Sequence, residues 1–108
     1  MAQESDIEKR LNLYAADHGC YVRKFTSNNV GVPDRIYVKG VTLFLEIKAP
    51  GKVPSPVQQD EIGIICRVGG FASFVDNYDD GVIFLNLVLA NRGDLLKRAC
   101  KEKNYWMK

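Results

Sequence analysis

A chain of 108 residues fits one domain and is long enough to bury a core without disulfide or metal staples. Its 46% hydrophobic and 26% charged residues are ordinary for a globular protein, and no stretch reaches the roughly 18 to 20 apolar residues of a membrane helix. A single histidine, His18, excludes multi-histidine metal sites and argues against hydrolytic chemistry built on histidine.

The net charge of +2 hides an uneven distribution. Residues 23–52 hold six bases (Arg23, Lys24, Arg35, Lys39, Lys48, Lys52) against two acids, Asp34 and Glu46. Residues 92–108 also hold six bases against two acids, so the remainder, with three bases and nine acids, is strongly negative. A basic patch around two isolated carboxylates suits a polyanionic partner, although a solvated lysine face accounts equally well for the charge alone. Cys20, Cys66 and Cys100 are odd in number, far apart and free of any CxxC spacing, which predicts reduced intracellular thiols that pack rather than ligate. The opening MAQESDIEKR lacks the pattern of a signal peptide.

In chain order, Ile7, Leu11, Tyr14 and Ala15 recur at helical spacing, with Ser5 as the expected cap and Gly19 as terminator. Residues 20–26 alternate and read as a strand, followed by the polar loop Ser27-Asn28-Asn29. A hairpin follows, with strands near 33–38 and 42–48 around Lys39-Gly40-Val41, broken by Ala49-Pro50-Gly51-Lys52. Ser55-Pro56 opens a second helix that runs to about Val68 and stops at Gly69-Gly70. Residues 71–75 form a short apolar strand. The run VIFLNLVLA at 82–90 fits a buried strand or a helix, and Asp79-Asp80 before it and Asn91-Arg92-Gly93 after it favour the helix. A last helix is expected from an Asp94 cap to about Lys103, leaving Tyr105-Trp106-Met107 as a docking tail. The order α-β-β-β-α-β-α-α predicts an α/β sandwich around a mixed sheet.

The hairpin carries the chemistry. Glu46 and Lys48 share one face of their strand, and register decides where Asp34 points. A two-residue turn puts Asp34 opposite Leu45, with the acids on opposite faces. A three-residue loop with Gly40 left-handed pairs Val38 with Thr42 and sets Asp34 directly against Glu46. Two facing carboxylates repel unless a cation lies between them, so this register predicts a hard divalent metal, Mg²⁺ or Mn²⁺, with Lys48 beside it. Such a set serves phosphodiester hydrolysis, which needs a Lewis acid and an activated water. An ordinary charged hairpin face explains the bare acid spacing about as well.

The strings GVPDRIYV, FLEIKAPG and PSPVQ resemble the VRR-NUC (virus-type replication-repair nuclease) branch of the PD-(D/E)XK nucleases, from the first helix to the strand at 71–75. The resemblance implies a restriction-endonuclease-like fold in one domain spanning 1–108, and a Mg²⁺- or Mn²⁺-dependent DNA endonuclease that leaves a 5′-phosphate and a 3′-hydroxyl. Carried over by motif, Asp34 and Glu46 match the metal-binding acids, Lys48 the catalytic lysine, and Gln58 the glutamine opening the helix after the hairpin. Glu8 matches the acid that the family places on its first helix to help hold the metal, and the carbonyl of Ile47 completes the metal shell. Two of these have local rivals, because Ser5-Asp6-Ile7-Glu8 and Ser55-Pro56-Val57-Gln58 both read as capping boxes. Lys24, Arg35 and Lys52 are the expected DNA contacts, although Lys24 also fits a plain exposed strand lysine. The alternatives on the same core are an exonuclease or restriction-type nuclease, or a DNA-binding module without cleavage. The presence of Asp34, Glu46 and Lys48 argues against the last.

Stand-alone members of the family further imply branched DNA, four-way junctions above all, cut by a symmetric homodimer. The apolar run at 82–90 and the aromatic tail suit the interface, although burial of that run in the monomer's own core accounts for it equally well, and a short domain also fits inside a larger complex. The setting expected is the cytoplasm of a bacterium or of a phage-infected host cell.

Overall fold

The structure, a computed structural model, describes residues 3–108. Its elements are α1 (Glu4–Asp17), β1 (Tyr21–Lys24), β2 (Arg35–Lys39), β3 (Val41–Ile47), α2 (Pro56–Arg67), β4 (Phe71–Val75), α3 (Tyr78–Leu89), α4 (Gly93–Lys103) and a 3₁₀ turn (Tyr105–Met107). The four strands lie in the order β1-β2-β3-β4, with antiparallel β1–β2 and β2–β3 pairs and a parallel β3–β4 pair. This is the expected mixed sheet. The run at 82–90 is helical, as its flanking signals favoured, because acidic residues fill the first turn and Asn77 caps it by accepting the Asp80 N–H at 2.8 Å.

Strand parity divides the molecule. Tyr37 on β2 and Leu43, Leu45 and Ile47 on β3 face α1 and α3, and they join Ile7, Leu11, Ala15, Phe84, Leu85 and Val88 in the main core. Each fully buried leucine there contributes roughly 1.5–3 kcal/mol relative to exposure. Tyr37 satisfies its hydroxyl by donating to Asn12 Oδ1 on α1 at 2.6 Å. The opposite face carries a thinner layer in which Ile62 of α2 meets Ala72 and Phe74 of β4. α4 closes the outer edge of β4, where Asn104 donates to the Ala72 carbonyl and accepts from the Ser73 hydroxyl. That contact covers an edge strand that would otherwise offer itself for pairing.

Three local expectations need correction. α1 begins two residues earlier than its sequence suggests: Gln3 is the cap, and its N–H donates to the Asp6 carboxylate at 3.3 Å. Ser5 therefore lies inside the first turn, and the Ser5–Glu8 capping box does not form. α4 is capped by Arg92 rather than Asp94, whose carboxylate instead receives the Arg92 guanidinium at 3.1 and 3.0 Å. The apolar surplus at 82–90 goes into the chain's own core, since Phe84, Leu85 and Val88 are buried and Ile83 alone is a large exposed residue of that run. The aromatic tail docks too, but internally: Trp106 packs on Phe74 and donates its indole N–H to the Gln59 carbonyl at 3.1 Å.

Candidate active site

Gly40 sets the hairpin register. Its φ of +80° lies in the left-handed region that favours glycine, and it turns the chain so that Lys39 pairs with Val41, Val38 with Thr42 and Arg35 with Leu45. Extending that ladder by one residue sets Asp34 against Glu46. The β1 edge supports the same spot, where the Phe25 N–H donates to the Asp34 carbonyl at 2.7 Å. β3 continues past its last paired residue through the Lys48 N–H, which donates to Val75 at 2.8 Å. Asp34, Glu46 and Lys48 consequently share the α2 face of the sheet, at the end where β3 leaves it.

Glu46 is only 8% exposed, and among the described residues its one ionic partner is Lys48, whose Nζ lies 3.6 Å from Oε2. That distance is too long for a good hydrogen bond, so the carboxylate is attracted but not saturated. Burial pushes Glu46 up to about 7, the charge of Asp34 pushes in the same direction, and Lys48 opposes both. Glu4, in the first turn of α1, adds its own charge to that upward push. A buried acid repelled by two neighbouring acids is stabilised in its charged form by any positive charge brought close to it. Asp34 and Glu46 offer carboxylate oxygens of the kind hard divalent cations take, and Ile47 follows Glu46 directly on β3. Among the described residues, no three histidine, cysteine or acidic side chains already converge into a closed cage.

No family model matches the chain. A protein of Acyrthosiphon pisum secondary endosymbiont phage 1, described as "Putative nuclease p44", is 34% identical over 82 residues, covering 73% of this chain and 88% of that protein. A solved VRR_NUC domain superposes with a TM-score of 0.71 at 22% identity, covering 80% of this chain and 97% of the domain. The chain belongs to the family of that phage protein, and its fold is that of a VRR_NUC domain.

Around this VRR-NUC core the remaining expected residues scatter. Glu8 lies on the other face of the sheet, where its Oε1 accepts from Arg35 Nε at 2.8 Å and also from Arg35 Nη2. The α1 acid whose charge reaches Glu46 is Glu4, one turn earlier. Gln58 forms the capping box: its Oε1 accepts the Ser55 N–H at 2.9 Å, and Ser55 Oγ accepts the Gln58 N–H at 3.3 Å. Lys52 is exposed just after the turn that follows β3. That turn is pinned by the Gly51 N–H, which donates to Asp76 Oδ2 at 3.1 Å, a contact with no signal in the local sequence. Lys24 is exposed on β1 but pairs with Arg35, and so belongs to the α1 side. Arg35 is committed to Glu8 and is not a free cation in this structure.

Proposed function

We propose that this chain is a VRR-NUC DNA endonuclease that uses Mg²⁺ or Mn²⁺ to hydrolyse phosphodiester bonds. The observation that carries the reading is Glu46: a nearly buried carboxylate, raised by the charge of Asp34, with Lys48 as its only ionic partner among the described residues. Asp34, Glu46 and the Ile47 carbonyl hold the cation, with Glu4 the acid that α1 contributes. When bound, the cation supplies Lewis-acid stabilisation of charge developing on the phosphate. Lys48 orients the attacking water and neutralises charge on the same phosphate, on the face away from the apolar core. Gln58 fixes the start of α2 through its cap, and Lys52 contacts the DNA backbone beside the cut.

The substrate in this reading is branched DNA, with four-way junctions preferred, and the acting species is a homodimer inside a cell. One hairpin offers one acid pair, so a single subunit cuts one strand, whereas a two-fold junction requires paired nicks. Val57, Ile64 and Val68, all substantially exposed, recur along the outer ridge of α2 and supply the apolar surface for pairing now that α3 is used internally. Three free cysteines suit a reducing interior.

A nicking assay on a four-way junction and on linear duplex, with Mg²⁺, Mn²⁺ or EDTA, tests the whole reading. Cleavage with either metal, none with EDTA, and a preference for the junction are expected. Release of mononucleotides from ends marks an exonuclease instead. DNA binding without any cleavage marks a non-catalytic module.

A further inference from the structure

We propose that the crevice between the end of α2 and α4 binds a small amphiphilic anion, an apolar body carrying one carboxylate, phosphate or sulfonate head. The crevice has a volume of about 510 Å³, within the range of small-ligand sites. It sits at the start of β4, where Phe71 pairs with Leu43, whereas Glu46 pairs with Phe74 three residues further along. The two sites are therefore separated by about 10 Å of strand, and the proposal does not rest on the nuclease reading.

The floor is apolar. Phe71, Met107, Cys66 and Cys100 form it, and burial pushes the Cys100 thiol up to about 12 and the Cys66 thiol upward as well, so both sulfurs are neutral. The rim is cationic. Arg67, Lys97 and Lys101 stand around the mouth, and none has an acidic partner within 4.0 Å among the described residues. Asp94, the rim's one acid, is already held by Arg92 at 3.1 and 3.0 Å. Gly93 keeps the space open, because a Cβ there would come within 3.3 Å of the Phe71 ring. An apolar floor below three uncompensated cations rejects a neutral polar solute and rejects a cation. It takes a ligand whose body is desolvated and whose anionic head stays at the mouth.

The full chain is titrated with 8-anilinonaphthalene-1-sulfonate and with its uncharged counterpart N-phenyl-1-naphthylamine, followed by fluorescence. Saturable one-to-one binding of the sulfonate is expected. A Lys97→Glu, Lys101→Glu double variant should weaken it about tenfold or more while changing the uncharged dye less than about twofold. Gly93→Leu should remove both dyes, with cooperative unfolding retained. If that variant does not fold, the charge-reversal pair decides alone. Displacement of the dye by decanoate or by thymidine 5′-monophosphate identifies an aliphatic or a nucleotide source. Sulfonate binding indifferent to the charge reversals, or displaced by neither competitor, overturns the proposal.

Discussion

The two faces of β3 make opposite use of one strand. Leu43, Leu45 and Ile47 point into the main core and are essentially solvent-free, whereas Phe44, Glu46 and Lys48 point to the α2 face, where the covering layer is thin. Alternation makes both possible within seven residues. The apolar face anchors the strand, and that anchoring lets the other face hold a carboxylate whose ionisation is unfavourable without a cation. The charged groups here sit where burial is least comfortable, one peptide away from residues where it is most favourable.

Breaking the charged face should leave the fold and remove the chemistry. Asp34→Ala and Glu46→Ala are each expected to lower cleavage on the order of 10² to 10³-fold or more at saturating Mg²⁺, with unfolding midpoints no lower than wild type in EDTA. Steady-state rates and thermal melts on the same preparations check both halves. Breaking the apolar face should do the reverse. Leu45→Ala removes a fully buried side chain next to Glu46 in sequence, and roughly 2–5 kcal/mol of stability should go with it, read by urea unfolding.

Lys48→Ala separates chemistry from grip. A residue that acts on the attacking water lowers turnover far more than affinity, whereas a phosphate contact lowers affinity and reduces its salt slope by about one. Wild-type turnover together with a shallower salt slope would make Lys48 a docking residue. The two acids of α1 give a finer test. Glu4→Gln should raise the Mg²⁺ concentration needed for half-maximal cleavage, because Glu4 carries charge toward Glu46. Glu8→Gln should chiefly destabilise, since it leaves Arg35 without its partner. Equal metal dependence in both variants would remove Glu4 from the site.

The smallest effect concerns pH. Glu46 rises from an ordinary 4.5 to about 7, so the folded chain keeps a proton that the unfolded chain has released. The stability this group contributes is full below about pH 4.5 and falls away as pH rises to about 7. In EDTA, Glu46→Gln should therefore match wild type at pH 4 and exceed it at pH 8 by about 1–3 kcal/mol. Added Mg²⁺ should stabilise wild type at pH 8 and leave the variant unmoved.

Much of the site could be read locally. The two possible registers, and the facing of Asp34 and Glu46 that comes with a three-residue loop and a left-handed Gly40, follow from turn chemistry and a period of two. The structure selects that loop. The same parity puts Arg35 on the face opposite Asp34, so its separation from the acids was legible as well. Glu4 and Glu8 were not separable in this way. They lie one turn apart on nearly the same side of α1, and helical period cannot say which of them reaches the end of the sheet. That depends on where the helix starts and how it crosses the strands. The run at 82–90 poses the same problem at larger scale, because an apolar helix needs a cover, and composition does not say whose.

By itself, then, the sequence determined the alternation of each strand and the element order, and it narrowed the hairpin register to two, since each depends on contacts a few residues apart. The observed strand pairing chose between those registers. Tertiary structure decided which α1 acid approaches Glu46, that Arg35 is occupied by Glu8, and that α3 and Trp106 are covered from within. Each of these turns on distance between segments far apart in the chain, which only packing sets.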